Sequence, residues 1–304
     1  MENRTWVEVV EDNVGKFGDL VVGIDPSLPD IPHILADDTA EGWLSGYVNF
    51  LLDTVEGHVG FVKFQSAYFE AHGLMGLAAL SAGMKRARAA GIGVILDAKR
   101  GDIGPTAAAY AHAYLTPTSA GGSGDFEADC LTINPLMGPD TLDPFVDCAK
   151  RFGKGLFVLC RTSNPGASWL QDKMAGNRLV SDRVADLIAA LATADAGHLS
   201  PFGAVIGATV PHEGRRLRQL LPHSIILAPG LGAQGGDASS IHALRGTHPG
   251  DLLVPVSRGL TRVADLDVPL ELYRRTILDR IDQFKAAIAY DHGQASRIKL
   301  VSGD

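Results

Sequence analysis

Three cysteines are all this chain has for disulfide or thiolate chemistry: Cys130, Cys148 and Cys160. An odd, sparse set without CxxC spacing excludes a disulfide framework and a structural zinc site. Cys130 and Cys160 sit inside apolar runs and read as small core residues. No stretch approaches the ~18 consecutive apolar residues of a membrane helix, so no membrane partner is expected. No Lys/Arg cluster offsets the formal net charge of -8, which argues against a general nucleic-acid binder. A local pocket for an anionic metabolite remains compatible with that charge. HExxH, GxSxG and P-loop signatures are missing. The ten histidines are scattered and none falls at an evident strand end, so neither a histidine base nor a histidine metal cage is expected. Tyr110, His112 and Tyr114 read as packing and surface residues.

What is present is apolar mass: 304 residues, 46% of them hydrophobic, enough for a large core. The first residues are acidic, with Trp6, Val9, Val10 and Val14 at helical spacing. They read as a helix over about residues 4–17 rather than a secretory signal, and the expected compartment is the cytoplasm.

Eight short β-branched runs follow: residues 20–25 (LVVGID), 60–64 (GFVKF), 93–99 (GVILDAK), 128–135 (ADCLTINP), 155–162 (GLFVLCRT), 203–209 (GAVIGAT), 224–231 (SIILAPGL) and 251–258 (DLLVPVSR). Most are continuously apolar, as in parallel strands buried on both faces. Helical patterns lie between them, including residues 77–90, 178–194 and 269–289. No linker-like break divides the chain, so the pattern favours a single (β/α)8 TIM barrel over an open doubly wound sheet. Residues 116–125 (TPTSAGGSGD) read as a flexible excursion, and residues from about 290 to 304 as a polar tail.

Polar residues gather where the apolar runs stop. Asp25, Lys63, Asp97, Lys99, Asn134, Arg161, Thr162, Thr209 and Arg258 all fall at or near strand ends, whereas strand starts carry little comparable polarity. In a barrel those are the C-terminal ends, where active sites lie. The sharpest local signal is Asp97-Ala98-Lys99-Arg100-Gly101-Asp102. Strand periodicity puts Asp97 and Lys99 on one face, with Lys63 arriving from the neighbouring strand. Such charges hold one another ionised. A protonated lysine donates a proton or stabilises a carbanion, but does not readily form a Schiff base. The bland reading is an ion-pair network that closes the barrel top.

Two further segments point to phosphate: Arg258-Gly259 after strand eight, and the Gly-rich residues 229–236 after strand seven. Loops after these strands commonly bind phosphate, through backbone N–H groups and bidentate arginine. The second loop only loosely matches a dinucleotide fingerprint, and it follows the wrong strand for one.

Several motifs in the same order resemble orotidine 5′-phosphate decarboxylase, in its longer bacterial variety often called type 2. They are Gly23-Ile-Asp25-Pro-Ser27, Val62-Lys63-Phe-Gln65-Ser66-Ala-Tyr-Phe-Glu70, residues 97–106 (DAKRGDIGPT), Arg161-Thr-Ser163-Asn164-Pro-Gly and Ser257-Arg258-Gly259-Leu260. Phe64 and Leu136 depart from the family pattern, which has proline and tyrosine there. The resemblance implies decarboxylation of orotidine 5′-monophosphate to uridine 5′-monophosphate, the last step of de novo pyrimidine synthesis, without cofactor or metal. It implies Lys99 as proton donor to C6, Asp97 beside the departing carboxylate, and Lys63 completing the network. Asp102 would reach into the partner's site in a homodimer. Asp25, Thr106, Asn134, Ser163, Asn164, Gln234, Arg258 and Gly259 would hold the substrate. The rivals are a magnesium-dependent sugar-phosphate decarboxylase or aldolase of the same suprafamily, and a non-catalytic nucleotide-binding barrel.

Overall fold

A computed structural model describes residues 4–36, 42–192, 199–208, 211–231 and 238–289. Eight parallel strands close into one barrel. They are β1 (Leu20–Ile24), β2 (Phe61–Gln65), β3 (Gly93–Arg100), β4 (Cys130–Ile133), β5 (Gly155–Arg161), β6 (Ser200–Ile206), β7 (Ser224–Leu227) and β8 (Leu252–Val256). Pairing of Leu20 with Val254, and of Val22 with Val256, joins the last strand to the first. After an N-terminal helix α1 (Trp6–Phe17), each strand is followed by helix: α2 (Trp43–Val55), α3 (Gly73–Ala89), α4 (Gly104–Leu115), α5 (Asp143–Phe152), α6 (Val180–Leu191), α7 (Pro211–Leu220), α8 (Ala238–His242) and α9 (Leu270–Ile288). The barrel and the single-domain expectation therefore hold. Among the described residues no helix is long and apolar enough to cross a membrane.

The eight apolar runs are the eight strands, with ends shifted by a few residues. β7 ends at Leu227 rather than residue 231, and β6 begins at Ser200 rather than residue 203. Pro201 supplies no N–H, and it is tolerated because it lies at the strand's start. Residues 116–125 are not an unstructured excursion. Thr118–Ala120 form a turn of 3-10 helix, Gly122 donates its N–H to the Pro117 carbonyl, and Lys85 pairs with Asp125 at 2.9 Å. Thr209, Gln234 and the tail from residue 290 lie outside the described residues.

Strand alternation separates two cores. Side chains pointing outward, such as Val22, Val62, Leu96, Leu131 and Val158, pack with the helices. Those pointing inward, such as Val21, Phe61, Ile95, Cys130 and Phe157, form a second cluster together with Trp6, Val9, Val10 and Val14 of α1. Helix α1 is therefore the floor of the barrel. A capping box starts it: Thr5 accepts from the Glu8 N–H, and Glu8 accepts from the Thr5 N–H. Trp6 meets Phe61 and Phe157 edge-on, with ring centroids 6.0 and 6.2 Å away. Gly155 makes room for it, since a β-carbon there would stand 2.3 Å from the indole.

Strand starts are more polar than the sequence suggests. Asp19 precedes β1 and pairs with Arg245 at 2.7 Å. Glu127 and Lys154, before β4 and β5, pair at 2.8 Å, and Arg88 of α3 pairs with Glu127 at 2.7 Å. Arg218 of α7 is buried, donating to the Asp251 and Ser224 carbonyls, and burial pushes its pKa down to about 10. These charges were hard to see because their partners come from segments far away in sequence. Polarity at this end belongs to closure of the barrel, and polarity at the other end surrounds a cavity.

Replacing Trp6 with alanine removes the floor's largest side chain, and Trp→Ala in a packed core costs about 3–5 kcal/mol. Urea unfolding of Trp6→Ala is expected to show a loss of that size, and a loss below about 1 kcal/mol would place the indole outside the core.

Candidate active site

The inward face of the barrel changes character one layer above the apolar floor. Two residues beyond Phe61 is Lys63, two beyond Ile95 is Asp97, and two beyond Cys130 is Thr132. Two beyond Phe157, on β5, is Leu159. Period-two alternation therefore carries the same interior face from hydrocarbon to charge. Above this layer is a cavity of about 500 Å3. It is lined by Asp25, Lys63, Asp97, Lys99, Ser163, Asn164, Arg258 and Gly259 among others, with Leu159, Val205 and Leu227 as an apolar wall.

The four charges nearest the barrel axis alternate in sign. Lys63 Nζ lies 3.8 Å from Asp25 Oδ1 and 3.1 Å from Asp97 Oδ2. Lys99 Nζ lies 2.6 Å from the other Asp97 oxygen. Asp97 and Lys63 are buried, whereas the Lys99 side chain is 44% exposed and faces the cavity. Burial pushes the Asp97 carboxyl up, but the Lys63 and Lys99 ammoniums outweigh it and hold the group down at about 2. Burial alone would depress Lys63, yet Asp97 and Asp25 raise its pKa above the ordinary value.

Lys99 does not simply continue the strand. Its φ is 49°, the one positive value among described residues other than glycine. This left-handed conformation costs about 1–3 kcal/mol unless the surroundings impose it. Asp97 and Lys99 still meet, as the alternation suggested, but through a distorted strand end rather than a regular one.

Two close backbone approaches shape the mouth. A β-carbon on Gly23 would stand 1.9 Å from the Ser257 hydroxyl, so glycine lets the end of β8 approach β1. A β-carbon on Gly207 would stand 2.7 Å from Ser163, so glycine seats the loop after β5 beside β6.

Other expected residues fall elsewhere. Arg161 turns away from the cavity and forms a two-pronged pair with Asp172, at 2.9 and 3.0 Å. Asp102 caps the Ile103 N–H, and Asn134 accepts from the Leu136 N–H. Neither lines the cavity of this chain, nor does Thr106. Gln65, Thr132 and Gln171 were not singled out from the sequence, whereas Thr162 was, as a strand end, and it lines the cavity. Gln65 accepts from Lys63 at 3.2 Å, and Gln171 accepts from the Thr162 N–H at 2.8 Å. For Gln65 the signal was available, two residues beyond Lys63 in a quoted motif. Thr132 and Gln171 are neutral residues whose part depends on contacts across strands or loops. The free thiols of Cys130 and Cys160 are buried, and Tyr110 and Tyr114 stack on one another, as their sequence context indicated.

Comparison with known proteins agrees with this geometry. Residues 20–271 match the profile of the orotidine 5′-phosphate decarboxylase / HUMPS family. A curated Rhodopirellula baltica protein named orotidine 5′-phosphate decarboxylase is 41% identical over 246 residues, covering 78% of this chain and 81% of its own. A Nocardioides protein of the same name is 40% identical over 266 residues, covering 85% and 92%. A solved chain from Streptomyces avermitilis, provisionally assigned to the same enzyme, superposes with a TM-score of 0.77 at 32% identity, covering 95% of this chain and 98% of its own.

The depressed Asp97 carboxyl has a signature in stability. A lowered folded-state pKa adds stability that is complete above the unfolded value and is lost as pH falls through the folded one. The ordinary value is 3.8 and the folded one about 2. The difference in unfolding free energy, wild type minus Asp97→Asn, should be level above pH about 5 and should fall steadily below about 4. A difference that rises on acidification would show that the carboxyl is not held down.

Proposed function

The chain belongs to the orotidine 5′-phosphate decarboxylase / HUMPS family, and we propose from its site how it performs that family's pyrimidine reaction. It is a carboxy-lyase that converts orotidine 5′-monophosphate to uridine 5′-monophosphate in pyrimidine biosynthesis. The observation that carries the mechanism is the alternating row Asp25, Lys63, Asp97, Lys99, with one ammonium facing the cavity.

The nucleotide's phosphate sits at Arg258 and Gly259, with Gln234 as a helper, and its ribose contacts Asp25. Ser163 and Asn164, on the loop after β5, face the pyrimidine. This places C6 and its carboxylate over Asp97 and Lys99. The bond from C6 to the carboxylate breaks, CO2 departs, and the electron pair stays on C6. The Lys99 ammonium, aimed at that carbon, stabilises the pair and then delivers its proton to C6. The resulting amine takes a proton back from solvent. Asp97, itself held ionised by Lys63, fixes the ammonium in place before the substrate arrives, so little reorganisation is needed in the transition state. Binding energy from the remote phosphate helps hold the site closed and dry around the reacting atoms. Side chains alone supply this chemistry, so no cofactor or metal is assigned.

Asp102, Thr106 and Asn134 belong to a site shared between two copies of the chain. Asp102 and Asn134 lie on the loops after β3 and β4 and Thr106 in the first turn of α4, all outside the cavity of their own chain. The same side of the rim exposes Leu74, Met75, Ile103, Leu136 and Met137. Apolar side chains at such exposure suit a surface covered by a partner, here a second copy that brings Asp102 toward the Lys99 of its neighbour. The three free thiols support a reducing compartment, the cytoplasm.

Purified protein is expected to bleach the orotidine monophosphate absorbance with or without a chelator. Lys99→Ala should lose turnover by at least about 1,000-fold while still binding uridine monophosphate. Chelator-sensitive activity on a sugar phosphate instead would move the chain to the other branch of its family. Mixing inactive Lys99→Ala and Asp102→Ala proteins should restore part of the activity, because one of the two sites in a mixed dimer is intact. No recovery in confirmed mixed dimers would refute the shared site.

A further inference from the structure

Between β3 and β4 the ladder is regular up to Leu96 opposite Leu131, and it resumes at Arg100 opposite Ile133. Three residues of β3, Asp97, Ala98 and Lys99, therefore face a single residue of β4, Thr132. The backbone pairing lost there must be satisfied by other groups. The Thr132 hydroxyl does this. The Lys99 N–H donates to Thr132 Oγ1 at 2.9 Å, and Thr132 Oγ1 donates to Asp97 Oδ1 at 2.9 Å. The same carboxylate oxygen accepts from Lys99 Nζ at 2.6 Å. Thr132 is completely buried, in register with Phe157 of β5 on one side and bonded to Asp97 on the other.

We propose that Thr132 is the positioning residue of the proton-donating lysine: one buried hydroxyl fixes the left-handed backbone of Lys99 and orients the carboxylate that holds its ammonium. A hydroxyl both donates and accepts, so one atom can serve the two ends at once. A purely apolar β-branched residue would fill the same space and leave the Lys99 N–H without a partner. The backbone would then relax from φ 49° toward an ordinary strand value, and the ammonium would move with it. A serine keeps the atom that matters. The inference rests on the decarboxylase reading for its kinetic consequence, but not for its structural one.

Thr132→Val and Thr132→Ser provide the test, measured for turnover of orotidine monophosphate and for hydrogen exchange at the Lys99 amide. Thr132→Val is expected to lower kcat about 10- to 100-fold with KM changed by less than about threefold, since the phosphate and ribose contacts are untouched. Its Lys99 amide should exchange at least about 10-fold faster than in wild type. Thr132→Ser should recover most of both. If Thr132→Val does not fold, Thr132→Ala carries the same expectations. An unchanged kcat in the valine variant, or a serine variant as impaired as valine, would overturn the proposal. So would unchanged amide exchange. If wild-type protein leaves orotidine monophosphate intact, the functional reading fails on its own, and amide exchange still decides whether Thr132 holds Lys99.

Discussion

One carboxylate shared by two ammonium groups governs the upper half of this molecule. Asp97 offers one oxygen to Lys63 and the other to Lys99. Each partner lies where charge is expensive: Lys63 and Asp97 are both buried. Neither would stay ionised alone in such a place. Together with Asp25 and Lys99 they form a neutral row that tolerates desolvation. A buried ion pair of this kind is weak evidence for stability, because desolvation offsets much of its attraction. Its value is that it fixes the position of Lys99 before any ligand arrives. The alternating signs thus trade stability for an ammonium held in place at the cavity.

The barrel makes that arrangement available because its inner face continues upward from the floor. Phe61, Ile95 and Cys130 pack against α1, and the next inward residues on the same strands are Lys63, Asp97 and Thr132. The register between strands therefore sets the register between charges. A slip of one residue in β2 would turn Lys63 into the outer core and put Val62 or Phe64 into the cavity. Trp6 and its companions at the bottom are in this sense part of the site's support, although they lie far from it along the barrel axis.

Much of this could be read from the sequence, and what escaped had a physical pattern. The eight strands were visible because parallel strands buried on both faces are continuously apolar. Asp25, Lys63, Asp97 and Lys99 were visible because a charge directly after such a run must either reach solvent or do chemistry. Arg161 satisfied the same criterion but pairs with Asp172, because direction out of the barrel depends on the following turn. The ion pairs at the strand starts were missed because Arg88, Arg218 and Arg245 come from other segments. Thr132 was missed for a different reason. A threonine inside an apolar β-branched run looks like an ordinary strand residue, and only the irregular pairing with β3 shows that its hydroxyl has work to do.

The charge balance of the cavity also bears on the proposed second copy. Within one chain the row sums to zero, and Lys99 leans on Asp97 at 2.6 Å. The nucleotide adds a phosphate, which Arg258 offsets, and a carboxylate, which must enter beside Asp97. With only these groups, the incoming carboxylate would compete with Asp97 for one ammonium. In the proposed dimer, a further carboxylate, Asp102 of the second copy, would change that competition. It would approach Lys99 as a second anion and leave the substrate's carboxylate as the group with the least compensation in the site. Loss of CO2 removes that excess negative group and leaves charge on C6, where the ammonium already points. In that dimer assembly and chemistry would be coupled by electrostatics: the partner's carboxylate would favour moving the negative charge from the substrate's carboxylate to C6, beside the ammonium.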